Sequence, residues 1–90
     1  MSNNKDIESA IKEIFRIVFQ KDDNEINQLR YGINPWDSLN HLNIVTSLEE
    51  EFEVFLKEDD ILKLISLEMA IEIIKEYKVS LSKLYLLQQW

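Results

Sequence analysis

The chain has 90 residues, of which 46% are hydrophobic and 30% charged, and its formal net charge is -7. This length allows one domain, and the acidity excludes nucleic-acid binding, because a phosphate backbone is contacted by clustered Lys and Arg. The lack of cysteine excludes disulfides and thiolate metal sites, and no metal site is predicted.

Local composition narrows the class of protein further. One Gly and one Pro are too few for a turn-rich sheet protein and favour helices. The N-terminus is polar and later apolar runs are interrupted by charge, so neither a signal peptide nor a membrane span is predicted. We therefore expect an all-α, monomeric, cytoplasmic protein whose partners are basic, since charge steers encounter.

The first predicted element is a helix over residues 6–20, because its apolar residues recur at helical spacing. Residues 21–25 end it. The period is lost over residues 26–36, where Gly32 and Asn34-Pro35 indicate turns, so a long connection is expected there. The helix stripe comprises Ile7, Ala10, Ile11, Ile14, Phe15 and Val18, and the connection is expected to pack through Ile26, Leu29, Ile33 and Trp36.

The next predicted helix begins at Asp37-Ser38, two residue types that favour helix N-termini. Ser38 should therefore be exposed where free backbone N–H groups and the positive end of the helix dipole meet. A phosphate esterified to its hydroxyl would gain about 0.3–1 kcal/mol there. The apolar face predicted for this helix consists of Leu42, Val45, Leu48 and Phe52.

A short helix over residues 57–64 and a last helix complete the predicted fold, with Ser66 as the N-cap of the last helix and Tyr77 near its end. The expected architecture is a small four-helix bundle with three longer helices and one short helix. Residues 1–78 form the domain. The apolar tail over residues 79–90 is interpreted as a cap on the bundle or a C-terminal helical extension, with a docking or self-association segment and an unpacked tail as alternatives.

The sequence Trp36-Asp37-Ser38-Leu39-Asn40-His41, followed by Leu48-Glu49-Glu50-Glu51-Phe52, resembles the acyl carrier protein family. In that family the serine of an Asp-Ser-Leu motif carries 4'-phosphopantetheine, and a Leu-Glu-Glu-Glu-Phe run follows it. The family's apolar spacing continues beyond this run, so the resemblance covers residues 7–77. The residues that flank this serine motif, Trp36 before it and Asn40-His41 after it, are most similar to those of stand-alone bacterial carriers outside housekeeping fatty acid synthesis.

The resemblance implies that a phosphopantetheinyl transferase joins the arm from coenzyme A to Ser38, with Asp37 assisting the transfer around the transferase's metal. It implies an acyl carrier for a specialised fatty acid, polyketide or surface-glycan pathway, served by acyl-loading and acyl-transferring enzymes with basic docking patches. The carrier itself is not expected to be an enzyme. An aminoacyl or peptidyl carrier and an unmodified helical interaction module are the alternatives.

The resemblance also implies two sets of contact residues. One set matches the partner-contact surface of the family and the other matches its acyl pocket. For the second set, ordinary packing in the hydrophobic core is the simpler interpretation. Partner contacts are expected at Leu39, Asn40, Asn43, Thr46, Glu49 and Glu50, and the acyl pocket at Leu48, Leu56, Ile61, Leu64, Ala70 and Ile71.

The chain departs from the family pattern around the serine. The family often has Gly before Asp-Ser-Leu and acidic or apolar residues early in the serine helix, where this chain has Trp36, Asn40, Asn43 and Thr46. Slower docking with housekeeping fatty acid enzymes is therefore expected. Trp36 is interpreted as a packing residue that fixes the approach to Ser38.

His41, the one histidine of the chain, lies three residues after Ser38, and this spacing alone does not exclude a Ser-His hydrolase. A small bundle leaves little room for a substrate pocket or an oxyanion hole, however. We therefore interpret His41 as a surface polar residue.

Overall fold

Five helices follow one another in the computed structural model, which describes the backbone of residues 4–87 and the side chains of residues 7–78. They contain 69% of the chain, and the described residues include no strand. The all-α prediction is confirmed, with three longer helices as expected. The helices are α1 (Asn4–Phe19), α2 (Asp23–Ile26), α3 (Ser38–Phe52), α4 (Glu58–Lys63) and α5 (Leu67–Leu87).

Helix α1 lies within one residue or two of its predicted limits and contacts both α3 and α5. Gln20 ends it by adopting a left-handed backbone with φ of 55°. The predicted apolar stripe is confirmed, because every side chain in it is either buried or packed against the core. The buried members are Ile7, Ile11 and Phe15, and the half-buried members are Ala10, Ile14 and Val18.

Helix α2 is an addition to the predicted architecture, since the sequence analysis placed only the end of a helix and a connection there. A capping box holds this single turn: the Asp22 carboxylate accepts from the Glu25 backbone N–H at 2.9 Å. In return, the Glu25 carboxylate accepts from the Asp22 N–H at 3.1 Å. The turn buries Ile26, which starts the connection to α3.

Helix α3 begins where the sequence predicts, and Glu53 terminates it in a left-handed conformation. The prediction of its buried face was wrong at Leu42, which is 63% exposed, while Ile44 is fully buried. The true stripe runs through Ile44, Val45, Leu48 and Phe52. At 100° per residue, Leu42 lies about 100° around the helix from the middle of that stripe.

The connection before α3 packs through three of its four expected residues. Ile26, Leu29 and Trp36 are buried, whereas Ile33 is 65% exposed, so that prediction was wrong. Ile33 opens a tight turn in which its carbonyl accepts from the Trp36 N–H at 2.9 Å. Trp36, the larger apolar side chain of this turn, is buried in the core, and Ile33 projects into solvent.

Helix α4 and the start of α5 follow the sequence prediction closely. Ser66 is the N-cap of α5, as expected, because its Oγ accepts from the Met69 N–H at 3.2 Å. Tyr77 ties the two helices together: its hydroxyl donates to Asp60 at 2.7 Å and accepts from the Lys57 N–H at 2.7 Å. These bonds fix the N-terminal end of the short helix α4.

The backbone of α5 continues as a helix to Leu87, ten residues past Tyr77. This agrees with a C-terminal helical extension, one of the interpretations of the tail. The side chains over 79–90 and the backbone over 88–90 lie outside the described residues, so docking, self-association and packing on the bundle stay untested. Within the described part of the chain, no helix combines the length and apolar character needed to cross a bilayer.

Candidate functional site

The candidate site lies at the N-terminal end of α3, where Asp37 and Ser38 have different structural roles. Asp37 is the N-cap: its backbone is extended, with φ of -97° and ψ of -174°, and its carboxylate accepts from the Asn40 N–H at 2.9 Å. Ser38 is the first helical residue and is exposed. Because Asp37 makes the cap, the exposed hydroxyl of Ser38 is accessible for modification.

The loop that leads to Ser38 is held by a dense set of backbone hydrogen bonds. The Gly32 N–H donates to the Trp36 carbonyl at 2.9 Å, and Gly32 has φ of +89°, which strongly favours glycine. Pro35 presents its carbonyl to both the Asp37 N–H at 3.1 Å and the Asn40 side-chain amide at 2.7 Å. The position of Ser38 is therefore set by a structured turn.

Trp36 anchors this turn in the core, as expected. Its side chain is fully buried, and its ring centroid lies 5.4 Å from those of Phe15 and Phe19 on α1. These distances are typical of favourable aromatic pairs. The residue two positions before Ser38 is thus fixed to the first helix of the bundle.

His41 differs from its sequence interpretation, because it is half-buried and bonded through both ring nitrogens. The Trp36 indole N–H donates to His41 Nδ1 at 3.1 Å, and His41 Nε2 lies 3.1 Å from the Ile61 carbonyl oxygen on α4. The Tyr31 ring lies 4.5 Å from the imidazole, centroid to centroid. The prediction of a surface residue was wrong because Trp36 places an indole donor beside the imidazole.

The predicted partner surface is exposed in four of its six positions. Leu39, with 67% of its surface exposed, Asn43, Thr46 and Glu50 face solvent on α3. The other two are half-buried: the Asn40 side chain is bound to the Pro35 carbonyl, and Glu49 accepts from the Leu56 N–H at 3.0 Å. For these two the prediction of an exposed contact was wrong.

Glu49 has a structural role that the sequence did not reveal. After α3 ends, the chain turns back so that both the Glu49 backbone carbonyl and its carboxylate accept hydrogen bonds from residues that follow the helix. A carboxylate that accepts a backbone N–H beside the core is held in one orientation. The N–H groups of Glu53 and Val54 donate to the Glu49 carbonyl, and the Leu56 N–H donates to its carboxylate.

The six predicted acyl-pocket residues belong to or pack against one hydrophobic core. Ile61 and Ile71 are half-buried at its edge. Ile71 also lines an open surface groove of about 330 Å³ between α1 and α5, together with the charged residues Lys12 and Arg30. The buried members of the predicted pocket are Leu48, Leu56, Leu64 and Ala70.

Exposed apolar side chains near α3 and α4 were not predicted as functional. Phe55 is 89% exposed and forms one wall of a groove of about 360 Å³ beside Thr46, Glu50 and Glu53. The helix period gives no signal for it, since Glu53 breaks the helix two residues earlier. Other large exposed apolar residues of this region are Leu42, Leu62 and Ile65.

Among the side chains that the structure describes, no three His, Asp or Glu residues are grouped closely enough to hold a metal ion. No protein-family model, curated protein or solved structure matches the chain.

Proposed function

We propose that this protein is an acyl carrier that holds acyl groups on a 4'-phosphopantetheine arm attached to Ser38. The observation that carries the proposal is the exposed Ser38 hydroxyl at the first position of a capped helix, behind a turn fixed by a buried tryptophan. It supports the proposal because a transferase needs an accessible hydroxyl in a defined position. The Asp-Ser-Leu motif and the acidic helix that follows add the resemblance to the acyl carrier family.

The surroundings of Ser38 fit the proposed arm. The hydroxyl lies at the positive end of a fifteen-residue helix, whose dipole favours a phosphodiester by roughly 0.3–1 kcal/mol, and the Asp37 carboxylate at the same end reduces this gain. Asp37, directly before it, would assist the transfer around the transferase's divalent cation. When attached, the arm supplies a terminal thiol that carries an acyl group as a thioester.

The residues of this chain would position the arm and present it to partners. A tethered cargo reaches each enzyme at high effective concentration, so the carrier needs a stable attachment point and a recognised surface. The hydrogen-bonded turn over residues 32–37 supplies the stable attachment point. The surface that basic enzymes of a specialised pathway would recognise consists of exposed residues on α3, namely Leu39, Asn43, Thr46 and Glu50.

The environment of His41 favours a carrier over a Ser-His hydrolase. A general base must offer a free ring nitrogen to the serine hydroxyl. In this structure Trp36 and the Ile61 carbonyl occupy both nitrogens. We therefore propose that the chain is not an enzyme and that its chemistry is done by its partners.

The test is modification of the purified protein by a broad-specificity phosphopantetheinyl transferase with coenzyme A and magnesium, followed by intact-mass measurement. We expect one phosphopantetheine on the wild type and none on Ser38→Ala. Ser47→Ala, on the same helix, is the matched control and should be modified like the wild type. Folded wild-type protein that gains no mass would reject the carrier function and favour an unmodified interaction module, for which exposed Phe55 and Leu42 are the structural argument.

The cargo class is tested on the modified protein. Loading by acyl-transferring enzymes would support an acyl carrier. Loading by an adenylating enzyme with an amino acid would instead identify an aminoacyl or peptidyl carrier, which has the same arm.

A further inference from the structure

We propose that Asn40 is a positioning residue for attachment of the arm: its side-chain amide binds the backbone of the turn over residues 32–37 and so fixes the backbone at Ser38. This role rests on the proposed carrier function, because it concerns modification of the same serine. It gives a physical reason for an amide at a position where the acyl carrier family commonly has an acidic or apolar residue.

Asn40 contacts the turn through two hydrogen bonds that enclose Ser38. Its side-chain Nδ2 donates to the Pro35 carbonyl at 2.7 Å, and its backbone N–H donates to the Asp37 carboxylate at 2.9 Å. Pro35 lies three positions before Ser38, and Asn40 lies two positions after it. The Asn40 side chain therefore closes the chain on both sides of Ser38 into one hydrogen-bonded ring.

The Pro35 carbonyl requires a hydrogen-bond donor from Asn40. A carbonyl oxygen only accepts, so the amide must present its Nδ2 group to it. The same carbonyl accepts the Asp37 N–H at 3.1 Å, so a side chain and a backbone group share one acceptor. An ionised carboxylate in place of the amide would face this oxygen with a second acceptor and could not form the bond. Aspartate is thus an analogue of Asn40 that has a similar shape and lacks the donor.

Other contacts keep the start of α3 in place when this bond is lost. The His41 N–H donates to the Asp37 carbonyl at 2.9 Å. The Asp37 carboxylate caps the helix through the backbone of Asn40, which every substitution retains. Trp36 anchors the turn in the core. Variants at Asn40 should therefore fold, while the segment that contains Ser38 gains freedom.

The rate of arm transfer depends on how the Ser38 hydroxyl is held. A reacting group in the productive geometry reacts faster than one that samples many orientations. Loss of this positioning should lower kcat of the transferase for the carrier. Loss of folded carrier would instead act as dilution of the substrate, which raises KM and leaves kcat unchanged. The two parameters therefore separate a positioning role from a merely structural one.

Asn40→Asp and Asn40→Ala test the role, because both remove the donor. In Asn40→Asp the new carboxylate lies in the first turn of α3, where a negative charge stabilises a helix and offsets part of the loss. The matched control is Asn27→Asp. The Asn27 side chain makes the same kind of bond, to the Asp23 carbonyl at 3.1 Å in α2, and its substitution changes the net charge equally outside the turn.

Initial rates of phosphopantetheine transfer are measured by intact mass at several carrier concentrations, with saturating coenzyme A and magnesium. We expect kcat to fall about fivefold in both Asn40 variants, as for loss of one hydrogen bond of ordinary strength, and to keep its wild-type value in Asn27→Asp. A wild-type kcat in both Asn40 variants, with or without a higher KM, would overturn the proposal. An equal fall in Asn27→Asp would assign the effect to charge and would also overturn it.

Nitrogen relaxation of the Ser38 backbone amide measures the positioning without the arm. We expect an order parameter of about 0.85 in the wild type, typical of rigid backbone, and a fall toward about 0.6 in both Asn40 variants. A flexible Ser38 in the wild type, or equal values in all three proteins, would overturn the proposal. The wild-type value stays decisive if either variant fails to fold.

Two negative results have different meanings. Wild-type protein that gains no phosphopantetheine would reject the carrier function itself, and the positioning role with it. Wild-type protein that is modified, together with Asn40 variants of equal kcat, would overturn only the role of Asn40 and leave the carrier function in place.

Discussion

Asp37 and Ser38 occupy different positions at the start of α3: Asp37 is the N-cap and Ser38 is the first helical residue. The Asp37 carboxylate accepts from the Asn40 N–H at 2.9 Å, and Ser38 is exposed. A cap needs only an oxygen acceptor, whereas assistance to a transferase's divalent cation needs a negative charge. Substitutions at Asp37 can therefore separate stability from arm transfer.

Asp37→Ala should lower the free energy of unfolding by about 1 kcal/mol, because the first turn of α3 loses its cap. Asp37→Asn keeps an acceptor oxygen and should retain most of the stability while slowing phosphopantetheine transfer. Urea denaturation and a timed mass assay measure the two effects. Transfer to Asp37→Asn at the wild-type rate would show that the charge of Asp37 has no part in the reaction.

The buried face of α3 predicts opposite results for two apolar residues two positions apart. Ile44→Ala removes a fully buried side chain and should cost about 2–5 kcal/mol, whereas Leu42→Ala at a 63% exposed position should change stability by less than about 0.5 kcal/mol. Urea denaturation of both variants is the measurement. Similar losses at the two positions would contradict the observed rotation of α3.

At the scale of elements, the short helix α4 depends on polar contacts with its neighbours. None of its six residues is buried, and it is held at one end by Tyr77 of α5 and at the other by His41 of α3. A six-residue helix is far below the length that is stable alone in water. The position of α4 therefore depends on contacts with its neighbours, among them these two side chains and the packing of Ile61 on the core.

The Tyr77 contact should make stability fall at high pH. Burial is the main cause that raises the pKa of the Tyr77 hydroxyl above its ordinary value of 10.0, and the hydrogen bond to Asp60 adds to it. The folded state therefore keeps a proton that the unfolded state releases once the pH passes 10.0. The free energy of unfolding should decline from that pH upward as this contribution is lost.

Urea denaturation at several alkaline pH values checks this expectation, with Tyr77→Phe as the comparison. The variant should be less stable at neutral pH by about 0.5–1.5 kcal/mol, because the Lys57 N–H loses its acceptor. It should also show a shallower decline in stability above pH 10.0. Parallel declines in the two proteins would assign the alkaline effect to other groups.

At the scale of the whole molecule, the net charge of -7 makes encounter with basic partners depend on ionic strength. Exposed acidic residues are unevenly placed, and Glu50 and Glu53 lie together beside the exposed Phe55. A partner that docks on this side of α3 should be attracted by that charge. A partner that docks elsewhere would respond to the net charge alone.

Glu50→Lys with Glu53→Lys should slow transfer of the arm or association with a basic partner enzyme severalfold at low salt, and added salt should reduce the difference. Glu72→Lys with Glu76→Lys changes the net charge equally on α5, where both residues are exposed, and is the matched control. Stopped-flow association or initial transfer rates give the comparison. Equal slowing by the two pairs would mean that this side of α3 is not a docking surface.

The sequence by itself determined the all-α class, the start of α3, the Ser66 cap and the exposure of Ser38. These features follow from helical periodicity and from capping residues, which act within a few positions of the chain. The Asp-Ser-Leu motif also makes Ser38 the candidate site. Local signals were sufficient because the chain has few residues that break helices.

Only the tertiary structure decided which side of each local element faces the core. Leu42 and Ile33 are apolar yet exposed, and His41 is polar yet half-buried, because Trp36 and Ile61 come from other parts of the chain to meet its ring. The Glu49 carboxylate likewise accepts a hydrogen bond from the Leu56 N–H, because the chain turns back after α3. Contacts between elements depend on their relative rotation and on partners distant in sequence, which periodicity along one helix does not contain.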